Sequence, residues 1–304
     1  MTKIPPYLKK GDTVGITCPA SKMEYHAVEF AAETVEQWGL KVKIGITART
    51  AFHNFAADDD TRLRELQEML DDENIHAILF GRGGYGVIRI IDRIDFTRFM
   101  KHPKWLCGYS DITALHTHIY QRYHIAGLHS MMCSGITPDT FNNKYVKSLR
   151  DALTGKQYQH QFIPHPLNRK GICTGELTGG NLSLLANLSG TVSQPDTAGK
   201  ILFIEEIGEY RYGVDRMMYN LKRAGWLDHL SGLIAGAFTD PKETETPFGQ
   251  TEYEIILDKV KEYDYPVCFG FPVGHQVENY ALKIGVEHEL GITNERCMLA
   301  AVSD

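Results

Sequence analysis

Gly108-Tyr109-Ser110-Asp111-Ile112-Thr113 follows the short apolar run Trp105-Leu106-Cys107 and precedes a segment with Ile112, Leu115 and Ile119 on one helical face. A strand, a one-residue corner and a helix follow one another here, and the rest of the chain is read outward from that order. Such a corner lifts a hydroxyl clear of its surroundings. The first N–H groups of the helix and the positive end of its dipole point towards it. Ser110 then has two readings. It is a nucleophile that attacks a carbonyl while the N–H of Asp111 helps to hold the oxyanion. Alternatively, Ser110 or Asp111 caps the helix, a place both residue types favour. The stretch departs from the G-x-S-x-G elbow, because Ile112 stands where the second glycine would be.

Upstream, Thr13 to Thr17 is a β-branched run ending at Cys18-Pro19, and Tyr25 to Trp38 places Val28, Ala31, Ala32, Val35 and Trp38 on one face before Gly39. Leu40 to Ile44 reads as a strand. Leu63, Leu66, Met69 and Leu70 recur at helical spacing after Asp58-Asp59-Asp60, and Ile75 to Phe80 runs into Gly81-Arg82-Gly83-Gly84-Tyr85-Gly86. Strand and helix alternate throughout, which predicts an α/β domain with a parallel sheet covered on both faces. Ligands of such sheets sit beyond the carboxyl ends of the strands, where the glycine loop and Ser110 both fall. Residues 1–150 form this N-terminal domain. Residues 151–170, with Tyr158, His160, Phe162, His165 and Pro166 among polar neighbours, show no clear period and read as a linker. Residues 171–304 form a C-terminal domain. It holds Gly179-Gly180-Asn181, a strand Ile201 to Ile204 ending at Glu205-Glu206, and a helix with Val214, Met217, Met218 and Leu221 inward. Then come a strand Leu233 to Phe238, a helix Tyr253 to Tyr263, and Val267 to Phe271 leading to Gly274-His275. Cys297 to Val302 closes the chain as an edge strand.

The 304 residues exceed the usual single core and point to two domains. With 43% hydrophobic and 23% charged residues the composition is that of a globular protein. A net charge of −6 without any basic run argues against nucleic acid or an anionic membrane as partner. The six cysteines are scattered, with no C-x-x-C pair, and fit reduced core thiols better than disulfides or a zinc site. No apolar signal-peptide core or membrane-length stretch is present, so the chain reads as cytoplasmic.

Three positions share one feature, a reactive polar residue where an apolar strand gives out: Ser110, Glu205 and His275. A serine nucleophile needs a base, and the base needs an acceptor to fix its tautomer and steady its charged form. Chain order is no obstacle, since such triads occur in several orders. Each residue has an ordinary reading too. Glu205 ends a strand beside Glu206, two adjacent carboxylates suit a metal, and His275 is one of 13 histidines. The glycine loop, residues 81–86, lacks both the Gly-Lys-Ser/Thr of a P-loop and the spacing of a dinucleotide fingerprint. It suits an oxyanion hole better, because glycines let backbone N–H groups come close to a carbonyl. Arg82 is placed to meet a substrate carboxylate, or else it pairs with a neighbouring acid. No H-E-x-x-H or similar metal cluster occurs, and His116 and His118 lie on different helix faces. A dinucleotide oxidoreductase would carry its glycine loop after the first strand, not after Phe80.

Taken together, these stretches resemble the LD-carboxypeptidases of peptidase family S66, the muramoyl-tetrapeptide carboxypeptidases and their microcin-immunity relatives. The resemblance runs nearly end to end: Pro19-Ala20-Ser21, Asn54-Phe55-Ala56 through Arg62, Gly81 to Gly86, Gly108 to Thr113, Gly179-Gly180-Asn181-Leu182, Phe203-Ile204-Glu205-Glu206 and Gly274-His275. It implies Ser110 as nucleophile, His275 as general base and Glu205 as its orienting partner. The backbone of Asp111 and of the Gly83-Gly84 turn would form the oxyanion hole. Arg82, Tyr109 and Asn181 are the candidate substrate contacts. It further implies a flavodoxin-like N-terminal sheet, a smaller C-terminal α/β domain, an active site between them, and a homodimer. The implied reaction is hydrolysis of the L–D peptide bond of a cytoplasmic murein tetrapeptide, releasing D-alanine in peptidoglycan recycling without metal or organic cofactor. The alternatives are a microcin-immunity-type peptidase acting on a peptidyl-nucleotide or aminoacyl-adenylate analogue, and a non-catalytic ligand-binding protein with Ser110 as a helix cap.

Overall fold

The strand runs of the N-terminal half form a parallel sheet whose central members are buried on both faces, as a sheet flanked by helices requires, while Lys41–Ile44 at the edge alternates exposed and half-buried residues. In the computed structural model, which describes residues 2–302, they are β1 (Thr13–Thr17), β2 (Lys41–Ile44), β3 (Ile75–Phe80), β4 (Trp105–Gly108) and β5 (Gly127–His129). The helices between them are α1 (Tyr25–Gln37), α2 (Asp59–Asp71), α3 (Thr97–Lys101) and α4 (Thr113–Tyr123), with α5 (Lys144–Leu153) following β5. α1 buries Val28, Ala31, Ala32 and Val35, the stripe legible in the sequence. α2 starts where the Asp58 side chain accepts a hydrogen bond from Thr61 N at 2.8 Å.

The chain divides into two compact units. The first runs to Lys156 and takes back Tyr280–Lys283. Its strands are ordered β5-β4-β3-β1-β2, with every pair among these five parallel, and β11 (Leu282–Ile284) extends the sheet beyond β5. Read from β2, the order is 2-1-3-4-5, that of flavodoxin-like sheets, and the direction of winding changes between β1 and β3. The loops leaving β1 and β3 therefore flank the place where such sheets bind ligands.

The second unit spans Gln157–Asn279 and the chain from Ile284 onward. Its elements are β6 (Gln159–Phe162), β7 (Gly171–Asn181), α6 (Leu182–Leu188), β8 (Ile201–Ile207), α7 (Arg211–Arg223), β9 (Gly232–Thr239), α8 (Glu252–Val260), β10 (Val267–Phe269), β12 (Glu287–Ile292) and β13 (Cys297–Ala301). One sheet of order β10-β9-β8-β7-β12-β13-β6 is parallel from β10 to β7 and antiparallel from β7 to β6. The core of its parallel half is built on Leu202, Ile204, Met218, Leu221, Trp226 and Phe269.

Two sequence expectations need correction here. Residues 151–170 are not a featureless linker, because they contain the end of α5 and all of β6. β6 reads Gln159-His160-Gln161-Phe162, and its polar composition hid a period-2 pattern in which His160 is buried between exposed glutamines. For the same reason β13 is not an edge strand: it pairs with β12 on one side and β6 on the other. Among the described residues no helix is long and apolar enough to cross a membrane.

Candidate active site

Ser110 lies just beyond β4, separated from Gly108 by Tyr109, and its φ is +63°. A non-glycine residue in the left-handed region is uncommon, and one held there by its surroundings marks a functional or strained corner. A short 3-10 turn over Ser110–Ile112 leads into α4, and neither helical start carries a side-chain cap hydrogen bond. The cap positions of these two starts are Tyr109 and Ile112, and neither Ser110 nor Asp111 stands at one. The Asp111 carboxylate, fully buried, instead accepts a hydrogen bond from Val87 N at 2.8 Å. Burial raises its pKa to about 6, against the opposing pull of the Val87 N–H and the charge of Arg62.

The glycine loop after β3 lies against this corner. A Cβ on Gly83 would stand 2.8 Å from Ser110 Cβ, 3.0 Å from its Oγ and 3.3 Å from Asp111 N. Glycine is thus required by close approach, and the space kept open adjoins both the hydroxyl and the Asp111 N–H. Among the described residues no hydrogen bond uses the N–H of Gly83, Gly84 or Asp111. The loop after β1 supports the arrangement: Ser21 N donates to Gly83 O at 3.2 Å. Tyr109 is half-buried with its ring 5.6 Å from that of His129. Arg82 is exposed and forms no ion pair among the described residues, which leaves the salt-bridge reading unsupported.

In the second unit, β8 ends on two adjacent carboxylates with different partners. Glu205, fully buried, accepts from His275 Nδ1 at 2.6 Å. Gly274 holds the two together: its φ is +114° and a Cβ there would lie 2.7 Å from Glu205 Cβ and 2.8 Å from Oε2. Burial disfavours the charged ring of His275, but the hydrogen bond and charge of Glu205, with Glu206 beyond it, outweigh this and raise its pKa above the usual 6.5. Glu206 faces the start of α6 instead. It accepts from Ser183 N at 2.7 Å, Ile207 N at 2.9 Å and Asn181 Nδ2 at 3.0 Å.

This separates the two glutamates, which sequence reading left equivalent by residue type, and it removes the adjacent-carboxylate metal reading. No group of three or more His, Cys, Asp or Glu side chains among the described residues is arranged to hold a metal. Asn181 ends β7 at the start of α6. It is buried, and its Oδ1 accepts from Leu184 N at 3.2 Å and Ser183 Oγ at 2.7 Å as the cap of α6. The structure thus pairs Glu205 with His275, and places Ser110, Asp111, Gly83 and Gly84 together in the first unit.

Sequence reading missed three groups behind the Ser110 corner. Arg62 and Glu65 lie on the inward face of α2 beside Leu66, Met69 and Leu70, and both are buried. Glu65 accepts from Thr17 Oγ1 at 2.6 Å and Thr47 N at 3.0 Å, which fixes the end of β1. The signal was present: two charges fall in register with an apolar stripe. The Asp111 carboxylate was the third, weighed in the sequence only as a helix cap.

Residues 14–130 match the LD-carboxypeptidase N-terminal domain and residues 174–290 the LD-carboxypeptidase C-terminal domain. A probable murein peptide carboxypeptidase of Bacillus subtilis is 34% identical over 300 residues, covering 98% of this chain and 94% of that protein. The crystal structure of muramoyltetrapeptide carboxypeptidase from Oxalobacter formigenes superposes with a TM-score of 0.85 at 24% identity, over 95% of this chain and 98% of that one. The microcin C7 self-immunity protein MccF, in complex with aspartyl sulfamoyl adenosine, gives a TM-score of 0.86 at 21% identity, over 98% of each chain. The two structures share the fold with this chain. The chain belongs to the LD-carboxypeptidase family.

Proposed function

We propose that this protein is a serine carboxypeptidase that hydrolyses the L–D peptide bond of a murein tetrapeptide and releases the terminal D-alanine. The observation that carries the reading is Ser110, held in the left-handed region at the carboxyl end of a central strand with Gly83 against its hydroxyl. The murein peptide substrate is supported by the extent of the likeness to the Bacillus subtilis relative. In this reading Ser110 Oγ attacks the carbonyl of the third residue, a lysine or diaminopimelate, and its proton passes to His275 Nε2. Glu205, bound to Nδ1, holds the ring in the tautomer that leaves Nε2 as the acceptor and steadies the imidazolium. The oxyanion is met by the N–H of Asp111 and those of the Gly83-Gly84 turn. His275 gives the proton to the departing amine of D-alanine, and then activates the water that clears the acyl-enzyme. Arg82 receives the terminal carboxylate, a role suited to a guanidinium with no ion-pair partner among the described residues. The chemistry calls for no metal or organic cofactor. The same reading places the enzyme in the cytoplasm, in peptidoglycan recycling, and as a homodimer.

The test incubates the protein with two free tetrapeptides, one bearing lysine and one diaminopimelate, and follows D-alanine by mass spectrometry beside the Ser110→Ala variant. Release that disappears in the variant supports the reading and identifies the diamino acid. If folded protein releases D-alanine from neither peptide, the murein assignment is wrong. An aminoacyl sulfamoyl adenosine then becomes the next substrate to try.

A further inference from the structure

The loop that carries Gly83 and Gly84 has no regular structure and contains four glycines within six residues, 81–86. Its backbone has more freedom than a pre-organised oxyanion hole tolerates, since glycine is the least restricted residue. It is nevertheless gripped at one peptide group. The Gly86 carbonyl accepts from Arg62 Nη1 at 3.1 Å, and the N–H of the same peptide unit, on Val87, donates to Asp111 Oδ2 at 2.8 Å. One side chain holds each edge of a single peptide plane. Arg62 is wholly buried, and the rest of its guanidinium is occupied by Pro19 O, Ala57 O and Asp59. It therefore ties the loop after β1 to the loop after β3. Arg89 holds Asp59 from the outer side at 2.7 Å. Asp111, for its part, is the residue after Ser110, so its carboxylate links the loop directly to the nucleophile corner.

A structural role alone accounts poorly for Asp111. Its carboxylate is fully buried, and its Oδ1 has no hydrogen-bond partner among the described residues. A half-satisfied buried carboxylate costs stability rather than adding to it. Its placement fits a demand for position.

We propose that Arg62 and Asp111 form a clamp on the Gly86–Val87 peptide that fixes the glycine loop against Ser110, making both side chains positioning residues for oxyanion stabilisation. The inference rests on the reading of Ser110 as nucleophile. Neither side chain is assigned a contact with substrate. Loosening the clamp displaces backbone donors that act mainly in the transition state, so it lowers kcat and leaves KM nearly unchanged.

The experiment measures the second-order rate at which an alkyl fluorophosphonate labels Ser110, whose phosphoryl oxygen occupies the oxyanion position, together with kcat and KM for tetrapeptide cleavage. The variants are Asp111→Ala, Asp111→Asn, Arg62→Met and Arg62→Lys, with folding checked by circular dichroism. Lys104→Met serves as control: Lys104 is an equally buried cation that donates to Met69 O and Asp72 O, away from the loop. Asp111→Ala and Arg62→Met should slow labelling and kcat roughly ten- to a hundred-fold with KM within about twofold. Asp111→Asn, whose amide oxygen can still accept from Val87 N, and Arg62→Lys should recover part of the loss. Lys104→Met should lower the melting temperature and leave the labelling rate alone. Folded Asp111→Ala or Arg62→Met protein that labels at the wild-type rate would overturn the clamp and leave the nucleophile reading intact. Should Arg62→Met fail to fold, Asp111→Ala decides the matter. A wild-type protein that is not labelled at all overturns the nucleophile, and the clamp with it.

Discussion

The ends of β4 and β8 both present a reactive side chain, yet they hold it by opposite means. At β4 the backbone carries the arrangement. Ser110 sits at φ +63°, and Gly83 leaves no room for a methyl group beside its hydroxyl. At β8 side-chain charge carries it, with a fully buried Glu205 bonded at 2.6 Å to His275. The first site is sensitive to added volume, the second to lost charge. A nucleophile needs exposure and geometry, whereas a base needs a partner that sets its tautomer and proton affinity, so the difference is the one expected if Ser110 and His275 have the proposed roles.

The largest effect is Ser110→Ala, which should remove D-alanine release and phosphonate labelling to within detection, a loss of at least about 10⁴-fold by analogy with other serine hydrolases. Next comes Glu205→Gln, which keeps volume and removes charge. A loss of roughly 10³- to 10⁴-fold in kcat is expected, as when the buried carboxylate of a triad becomes an amide. Its pH profile sharpens the comparison. In the wild type the His275 pKa lies above 6.5, so kcat/KM rises as pH increases through that raised value and the ring becomes neutral. Without Glu205 the burial that disfavours the charged ring is no longer offset to the same extent, and the acid limb moves to lower pH. The linked stability runs the other way. A raised pKa favours the folded state fully below the unfolded value near 6.5, and that contribution is lost as pH rises through the folded pKa. An acid limb that stays in place in Glu205→Gln would show that charge at β8 is not what sets the base.

Gly83→Ala tests the other end. Gly83 is not among the positive-φ glycines, so the added methyl introduces no backbone strain and acts through its approach to Ser110 and Asp111 N. Losing one oxyanion donor costs about 10²- to 10³-fold in kcat, and blocking this space should fall at the lower end, while the 2.8 Å approach to Ser110 Cβ forces a local shift that costs about 1–3 kcal/mol of stability. If the variant unfolded instead, volume at this corner would be a matter of packing rather than catalysis.

How much of this was legible depended on which physical signal each part leaves in the chain. Buried parallel strands write themselves as apolar runs, so β1, β3, β4, β8 and β9 were plain, and with them the α/β class. β6 was not, because Gln159 and Gln161 made a half-buried strand look like a linker, and β13 lost its second neighbour as a result. Ser110, Glu205 and His275 stood out where apolar runs end. The choice between Glu205 and Glu206 depends on which way each of two consecutive residues of β8 faces, and residue type says nothing about that. The left-handed φ of Ser110 and the burial of Arg62 arise from long-range contacts, which local pattern records only as a charge on an apolar face.

Glu206 gives the smallest effect and the finest test of the contrast between neighbouring carboxylates. Its oxygens satisfy Ser183 N and Asn181 Nδ2 at the start of α6, so Glu206→Ala should cost roughly 1–3 kcal/mol of stability by leaving buried donors unpaired. Catalysis should fall no more than about threefold, since only the more distant of the two charges behind His275 is lost. Glu206→Gln should recover most of the stability. Burial raises the Glu206 pKa above 4.5, against the hydrogen bonds that favour its charge, which means that the fold prefers the neutral form. Such a group stabilises fully below its unfolded pKa and loses that contribution as pH rises through the folded value. The amide has no charge to bury, so its melting temperature relative to wild type should be more favourable at pH 7 than at pH 4. The reverse trend would mean that the charge at the start of α6 is stabilising, and that the helix N-terminus and its hydrogen bonds outweigh burial.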